Sequence, residues 1–134
     1  METAEMMRTM TMPKGMDMDM SMMQECMEAC SSCMQACLMC SDAMMAMDGM
    51  GRCAAMCMSC ADVCDATMRM MMRPTGMDMD AMRAMLQACM SMCRACMEEC
   101  RSHMDMSEPC RMCMQACEAC MHACQAMMGA MPAM

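Results

Sequence analysis

Along most of the chain the apolar positions recur at alternating steps of four and three, the period of one face of an α-helix. The first stretch with this pattern has Met23, Cys26, Cys30, Cys33, Cys37, Cys40, Met44 and Met47 on its inner stripe. A second carries Met50, Cys53, Cys57, Cys60, Cys64, Thr67 and Met71. The third has Met82, Leu86, Cys89, Cys93, Cys96, Cys100 and then His103, and the fourth Met106, Cys110, Cys113, Cys117, Cys120, Cys124, Met127 and Met131. Polar residues such as Glu25, Glu28, Gln35, Arg94, Glu98 and Arg101 fall off these stripes. Each stretch therefore reads as an amphipathic helix whose inner face is sulfur.

Punctuation between the stretches sets the expected boundaries, helices at about 17–47, 50–72, 79–104 and 108–128. Ser21 with Gln24 has the form of a capping box at the first start. Asp48-Gly49-Met50-Gly51 is a turn, and Arg73-Pro74-Thr75-Gly76 ends the second helix, since proline cannot continue it. Asp78 or Asp80 caps the third. Ser107-Glu108-Pro109 opens the fourth, and Gly129 with Pro132 finishes it. Residues 1–16 read as a flexible Met-rich tail and residues 17–134 as one domain. Connections this short require antiparallel neighbours, so the expected fold is all-α, an up-down-up-down four-helix bundle with a Cys-lined core. Cys-Met-Gln-Ala-Cys occurs at both 33–37 and 113–117, in keeping with two hairpins of similar plan.

Composition sharpens this picture. With 39 Met, 18 Cys and no Phe, Tyr or Trp, the core must be built from Met, Cys and Ala. Met specifies packing poorly, so something besides apolar contact has to fix the interior. All 18 cysteines lie on the stripes, and the stripe from Cys26 to Cys40 spans roughly 21 Å at the helical rise. Three roles compete for them. As small hydrophobes they would carry a redox liability that Ala or Val lacks. As a disulfide framework they are badly placed, because cysteines three or four apart on one helix project poorly for bridging each other. As metal ligands they are soft thiolates, joined by softer neutral thioethers. Zn²⁺ uses few, closed Cys₄ tetrahedra and has no use for Met. Cu(I) accepts two or three thiolates, tolerates shared sulfur and also takes Met, so a capacity on the order of one ion per cysteine is expected.

The repeated CxxxCxxCxxxC runs on four inward-facing helices, with Met and His gathered at one end, resemble the bacterial copper storage proteins over about residues 20–128. That resemblance implies a four-helix bundle storing many Cu(I) ions, and a homotetramer. The ligand set it selects is Cys26, Cys30, Cys33, Cys37, Cys40, Cys53, Cys57, Cys60, Cys64, Cys89, Cys93, Cys96, Cys100, Cys110, Cys113, Cys117, Cys120 and Cys124. Up-down topology brings Met44, Met47, Met50, His103 and Met106 to one end, the expected metal entry. The other end, with Leu86 among Met23, Met71, Met82, Met127 and Met131, reads as a hydrophobic plug. His122 falls opposite the sulfur stripe and reads as a surface residue.

Other classes lose ground. A net charge of −8 argues against nucleic acid and against a polybasic membrane contact, and no apolar stretch is long enough to span a bilayer. Nothing singles out one cysteine as a nucleophile, and no phosphate loop or zinc-protease signature occurs, so an enzyme is not expected. A Zn/Cd-thiolate protein of metallothionein type and a thiol redox buffer stay as alternatives. The first residues carry neither an apolar h-region nor a twin-arginine pair, which for a complete chain implies the cytoplasm. A mature periplasmic form with its signal removed fits the same residues. Besides copper, the expected partners are a copper chaperone or a cuproprotein recipient.

Overall fold

In the computed structural model, residues 3–12 and 20–131 are described, and among them every regular element is helical. The elements are α1 (Thr3–Arg8), α2 (Met20–Met45), α3 (Gly51–Met71), α4 (Met79–Arg101) and α5 (Glu108–Ala130), with a short 3₁₀ turn at Pro74–Gly76. Four long helices thus stand where the four sulfur-striped stretches lie. The inner stripes are buried almost without exception, and the cysteines on them are sealed from solvent.

Sulfur contacts give the register. Between α2 and α5, Cys26 meets Cys124, Cys33 meets Cys117 and Cys40 meets Cys110, each Sγ pair 3.8 Å apart. Between α3 and α4, Cys57 meets Cys100, Cys60 meets Cys93 and Cys64 meets Cys89 at 3.9–4.0 Å. In both pairs one number rises as the other falls, so the paired helices run in opposite directions. Away from the sulfur, the Ser41 hydroxyl donates to the Ala54 carbonyl at 3.0 Å and ties α2 to α3 from a buried position. Off-stripe Met27, Met90 and Met97 are buried as well, in the role of filler between helices.

The helix ends follow the capping chemistry in part. The Asp78 carboxylate accepts from the Ala81 N–H at 2.9 Å, which leaves Asp80 inside the first turn of α4. The Ser107 hydroxyl accepts from the Cys110 N–H at 3.3 Å, with Glu108 and Pro109 following it into α5. Gly49 takes the left-handed conformation, φ 79°, in the turn between α2 and α3, where a side chain would be strained.

Some expectations change. Part of the presumed tail is helical: α1 packs on α2 and buries Met7, and Met10 just past its end is partly buried against the same core. Residues 1, 2 and 13–16 of that tail, and Asp17 to Asp19 of the expected first helix, lie outside the described residues. Ser21 sits within the first turn of α2 rather than at its cap. α2 stops at Met45 and α4 at Arg101, both short of the expected 47 and 104. At each of these ends the backbone tightens into i→i+3 turns, Met47 N–H to Met44 C=O and His103 N–H to Cys100 C=O among them. Gly129 lies inside α5, whose helical bonding runs on to Ala130, and Pro132 is outside the described residues.

Candidate metal centre

Helical spacing lays down each row of the sulfur interior. Thiols four apart on one helix approach each other along the stripe, Cys33 to Cys37 at 3.9 Å and Cys60 to Cys64 at 4.0 Å. Thiols of facing helices complete the set. Cys37 lies 3.6 Å from Cys113, Cys53 3.8 Å from Cys110, Cys96 3.8 Å from Cys57, and Cys120 3.7 Å from Cys30. With the inter-helix pairs given above, every cysteine has another Sγ within 4.0 Å. All are free thiols, and these separations are about twice the roughly 2.05 Å of a disulfide.

The thiols gather into sets of four with all sulfurs within 4.8 Å of one another. One is Cys30, Cys89, Cys120 and Cys124, and another is Cys40, Cys53, Cys100 and Cys110. Between them lie Cys33-Cys37-Cys60-Cys117, Cys33-Cys60-Cys64-Cys93 and Cys37-Cys96-Cys113-Cys117. A metal–sulfur bond of about 2.3 Å gives a tetrahedral edge of about 3.8 Å, so any one set has room for a thiolate-bound ion. The middle sets share Cys33, Cys37, Cys60 and Cys117. Overlap of the candidate sets means that neighbouring sites can share sulfur, which suits bridging thiolates.

Crowding also divides the protons. Hydrogen bonding with Cys124 is the first cause that pulls the Cys26 thiol down to about 5, while Cys124 is pushed up in turn, chiefly by Cys120 and then by Cys26. Cys120 is drawn down to about 7, first through Cys124 and then Cys30. Cys30, Cys37, Cys64 and Cys93 are pushed up, each chiefly by its hydrogen bond to a neighbouring thiol, with burial adding to the effect. Cys110 is pushed up first by burial. A thiolate is thus stabilised wherever a neighbour keeps its proton, and a second ionisation next door is suppressed.

The five residues expected at the entry do not form one stripe. Met44 is buried, and its Sδ accepts from the Cys110 thiol at 3.4 Å. Met50 is buried at the start of α3. Met47 is 38% and Met106 66% exposed, because both lie past a helix end where the seam periodicity no longer applies. His103 sits in the turn after α4 with its side chain one-fifth exposed. Its Nε2 is 3.9 Å from Glu99 Oε2, and its Nδ1 is buried without a hydrogen-bond partner. Glu99 also accepts from Arg52 Nε at 3.1 Å, linking α4 to α3. Sequence reading passed over Glu99, although its i,i+4 spacing to His103 was a signal. At the far end Met23, Met71, Met82, Leu86 and Met127 are fully buried. His122 is exposed.

Comparison with known proteins agrees with this geometry. The family described as copper storage protein matches residues 15–129. The chain is similar to the copper storage protein Ccsp from Streptomyces lividans loaded with 10 copper equivalents, at 38% identity and a TM-score of 0.91, covering 97% of this chain and 100% of that one. A histidine-to-alanine mutant of the same protein matches at 42% identity and a TM-score of 0.80, over 83% of this chain and 95% of that one. A structure described as copper loading to a cytosolic copper storage protein from S. lividans, with five coppers, matches at 42% identity and a TM-score of 0.79 over 81% and 93%. None of the curated proteins matches the chain. With the family spanning nearly all of its length, this chain belongs to the copper storage proteins.

Proposed function

We propose that this chain stores copper as Cu(I) inside an up-down-up-down four-helix bundle, with the 18 cysteines as ligands and a capacity on the order of one ion per cysteine. The observation that carries this reading is the unbroken sulfur network, in which each thiol lies within 4.0 Å of another and the middle sets of four share members. Cu(I) tolerates sulfur shared between neighbouring sites, whereas zinc tetrahedra use closed sets of four and no thioether. An all-sulfur environment holds copper in its monovalent state. The protein acts as a store and not as a catalyst, since its thiols form one network with none set apart.

Entry is at the end that carries Met44, Met47, Met50, His103 and Met106. Support comes from the gradation there: exposed Met47 and Met106 outermost, half-buried His103 with an unpartnered Nδ1, then Met44 in contact with the Cys110 thiol. Neutral thioethers and imidazole hold Cu(I) less firmly than thiolates, so an ion arriving there moves inward. We assign the protein to the cytosol, as a relative is described, and to a homotetramer, by family resemblance. No described helix is long and apolar enough to cross a membrane.

Anaerobic titration of fully reduced protein with Cu(I), against a competing chromophoric chelator, tests the assignment, with Zn²⁺ as control. Uptake of many Cu(I) ions, near the cysteine count, is expected. Saturation at about four ions, with Zn²⁺ held as well or better, would overturn it.

A further inference from the structure

The wall between α2 and α5 has an opening of its own. A recess of about 210 Å³ on the outer side of these helices is lined by Ala36, Met39, Cys40, Pro109, Met112 and Cys113. It is open because Ala36 offers only a methyl and Pro109 only its compact ring, so no long side chain spans the groove at that level. Met39 and Met112 flank it from the two helices, 67% and 56% exposed. Cys40 and Cys113 also line the recess, and both are buried. Four of the six lining residues are sulfur residues, two exposed methionines and two cysteines whose thiols contact the core thiols Cys110 and Cys37.

That combination matches what a soft monovalent cation needs to pass a protein wall. A thioether has no proton to lose and binds Cu(I) weakly enough to release it, whereas a thiol that loses its proton binds more tightly. The two inner thiols also connect to the store. Cys113 Sγ is 3.6 Å from Cys37 and belongs to the set with Cys96 and Cys117, and Cys40 Sγ is 3.8 Å from Cys110 in the set with Cys53 and Cys100.

Resting on the storage reading, we propose that Met39 and Met112 form a side port that captures Cu(I) at the surface and delivers it through the α2/α5 wall to Cys40 and Cys113. This route crosses the α2/α5 side wall, whereas Met44 meets Cys110, a neighbour of Cys40, from the end of the bundle. The step is ligand exchange. Copper–thioether bonds break and copper–thiolate bonds form, each thiol passes its proton to water, and copper stays monovalent throughout.

The test compares loading rates of wild type, the double variant Met39→Leu/Met112→Leu and the control Met58→Leu. Leu keeps the apolar bulk and removes the sulfur. Met58 is an exposed Met on α3 that does not line the recess. Under anaerobic stopped-flow mixing with chelator-bound Cu(I), the double variant should load about threefold or more slowly than wild type, and the control should not. Equal rates in the double variant and wild type overturn the port. In a second experiment, methionine-methyl NMR of wild-type protein follows substoichiometric Ag(I), a soft monovalent probe. Met39 and Met112 methyl signals should move with the first ions, and unmoved signals there overturn the port. A wild type that takes up only about four Cu(I) ions would sink the storage reading itself, which total capacity reports independently of rate.

Discussion

The two ends of the sulfur interior are both rich in methionine yet differ in kind. At one end Met23, Met71, Met82 and Met127 surround Leu86, all fully buried, and Thr67 turns its hydroxyl back to the Val63 carbonyl at 2.7 Å. At the other, Met44 touches a core thiol while Met47 and Met106 face water, beside His103, Glu99 and Arg52. The sulfur content alone does not make a door. A thioether packed on all sides contributes dispersion and burial, and one that reaches from solvent to a thiol can pass a cation. The port proposed at Met39 and Met112 would be a third case, on the side wall.

Loading the protein with Cu(I) should have the largest effect on its stability. The inner faces lack bulky apolar side chains, so metal–thiolate links between helices should raise the melting temperature by more than about 10 °C. Loading should rescue even a damaged plug: copper-loaded Leu86→Ala should melt above apo wild type in differential scanning calorimetry. Equal melting temperatures for apo and loaded wild type would show that the metal does not join the helices.

The next effect separates the ends directly. In the apo protein Leu86→Ala should cost about 2–5 kcal/mol by chemical denaturation, through lost burial and the cavity left behind. Met106→Ala, at an exposed position, should stay within about 0.5 kcal/mol. Similar costs at the two positions would erase the distinction between plug and door.

The smallest effect lies in pH, because neighbouring thiols shift in opposite directions and partly cancel. Cys26, toward the plug, is held near 5 against an ordinary value of 9.0. Its contribution to apo stability is present above 9 and is lost as pH falls toward 5. Cys110, toward the proposed entry, is pushed up, so its contribution is present below 9 and is lost as pH rises beyond it. Denaturation curves across this range should therefore flatten on the acid side for Cys26→Ser and on the alkaline side for Cys110→Ser. Identical pH profiles for the two variants would mean that the ends do not differ in acidity.

Much of this molecule is legible from spacing. Steps of four and three fix which side chains share a helical face, and in a chain almost without large aliphatics the shared face has to be cysteine. Ser107 was readable as a cap and Asp78 as one of two candidates with Asp80, because a short oxygen-bearing side chain before a helix satisfies N–H groups that the helix cannot. Spacing failed where the helices stop. Met47, His103 and Met106 continue the period in the sequence, but tight turns after Met45 and Arg101 carry them off the stripe. The burial of Ser41 against Ala54 was likewise invisible, since its partner is a backbone carbonyl on another helix.

By itself, then, the sequence determined the inner face, the chemistry of that face and the metal class it suits, all of which depend on local periodicity and on the softness of sulfur. Only the tertiary structure decided which thiols stand within 4.0 Å across helices, which sets of four share members, which methionines meet water and where a recess opens between α2 and α5. Those properties depend on the register between helices and on which neighbours are small, and no single helix's sequence contains them.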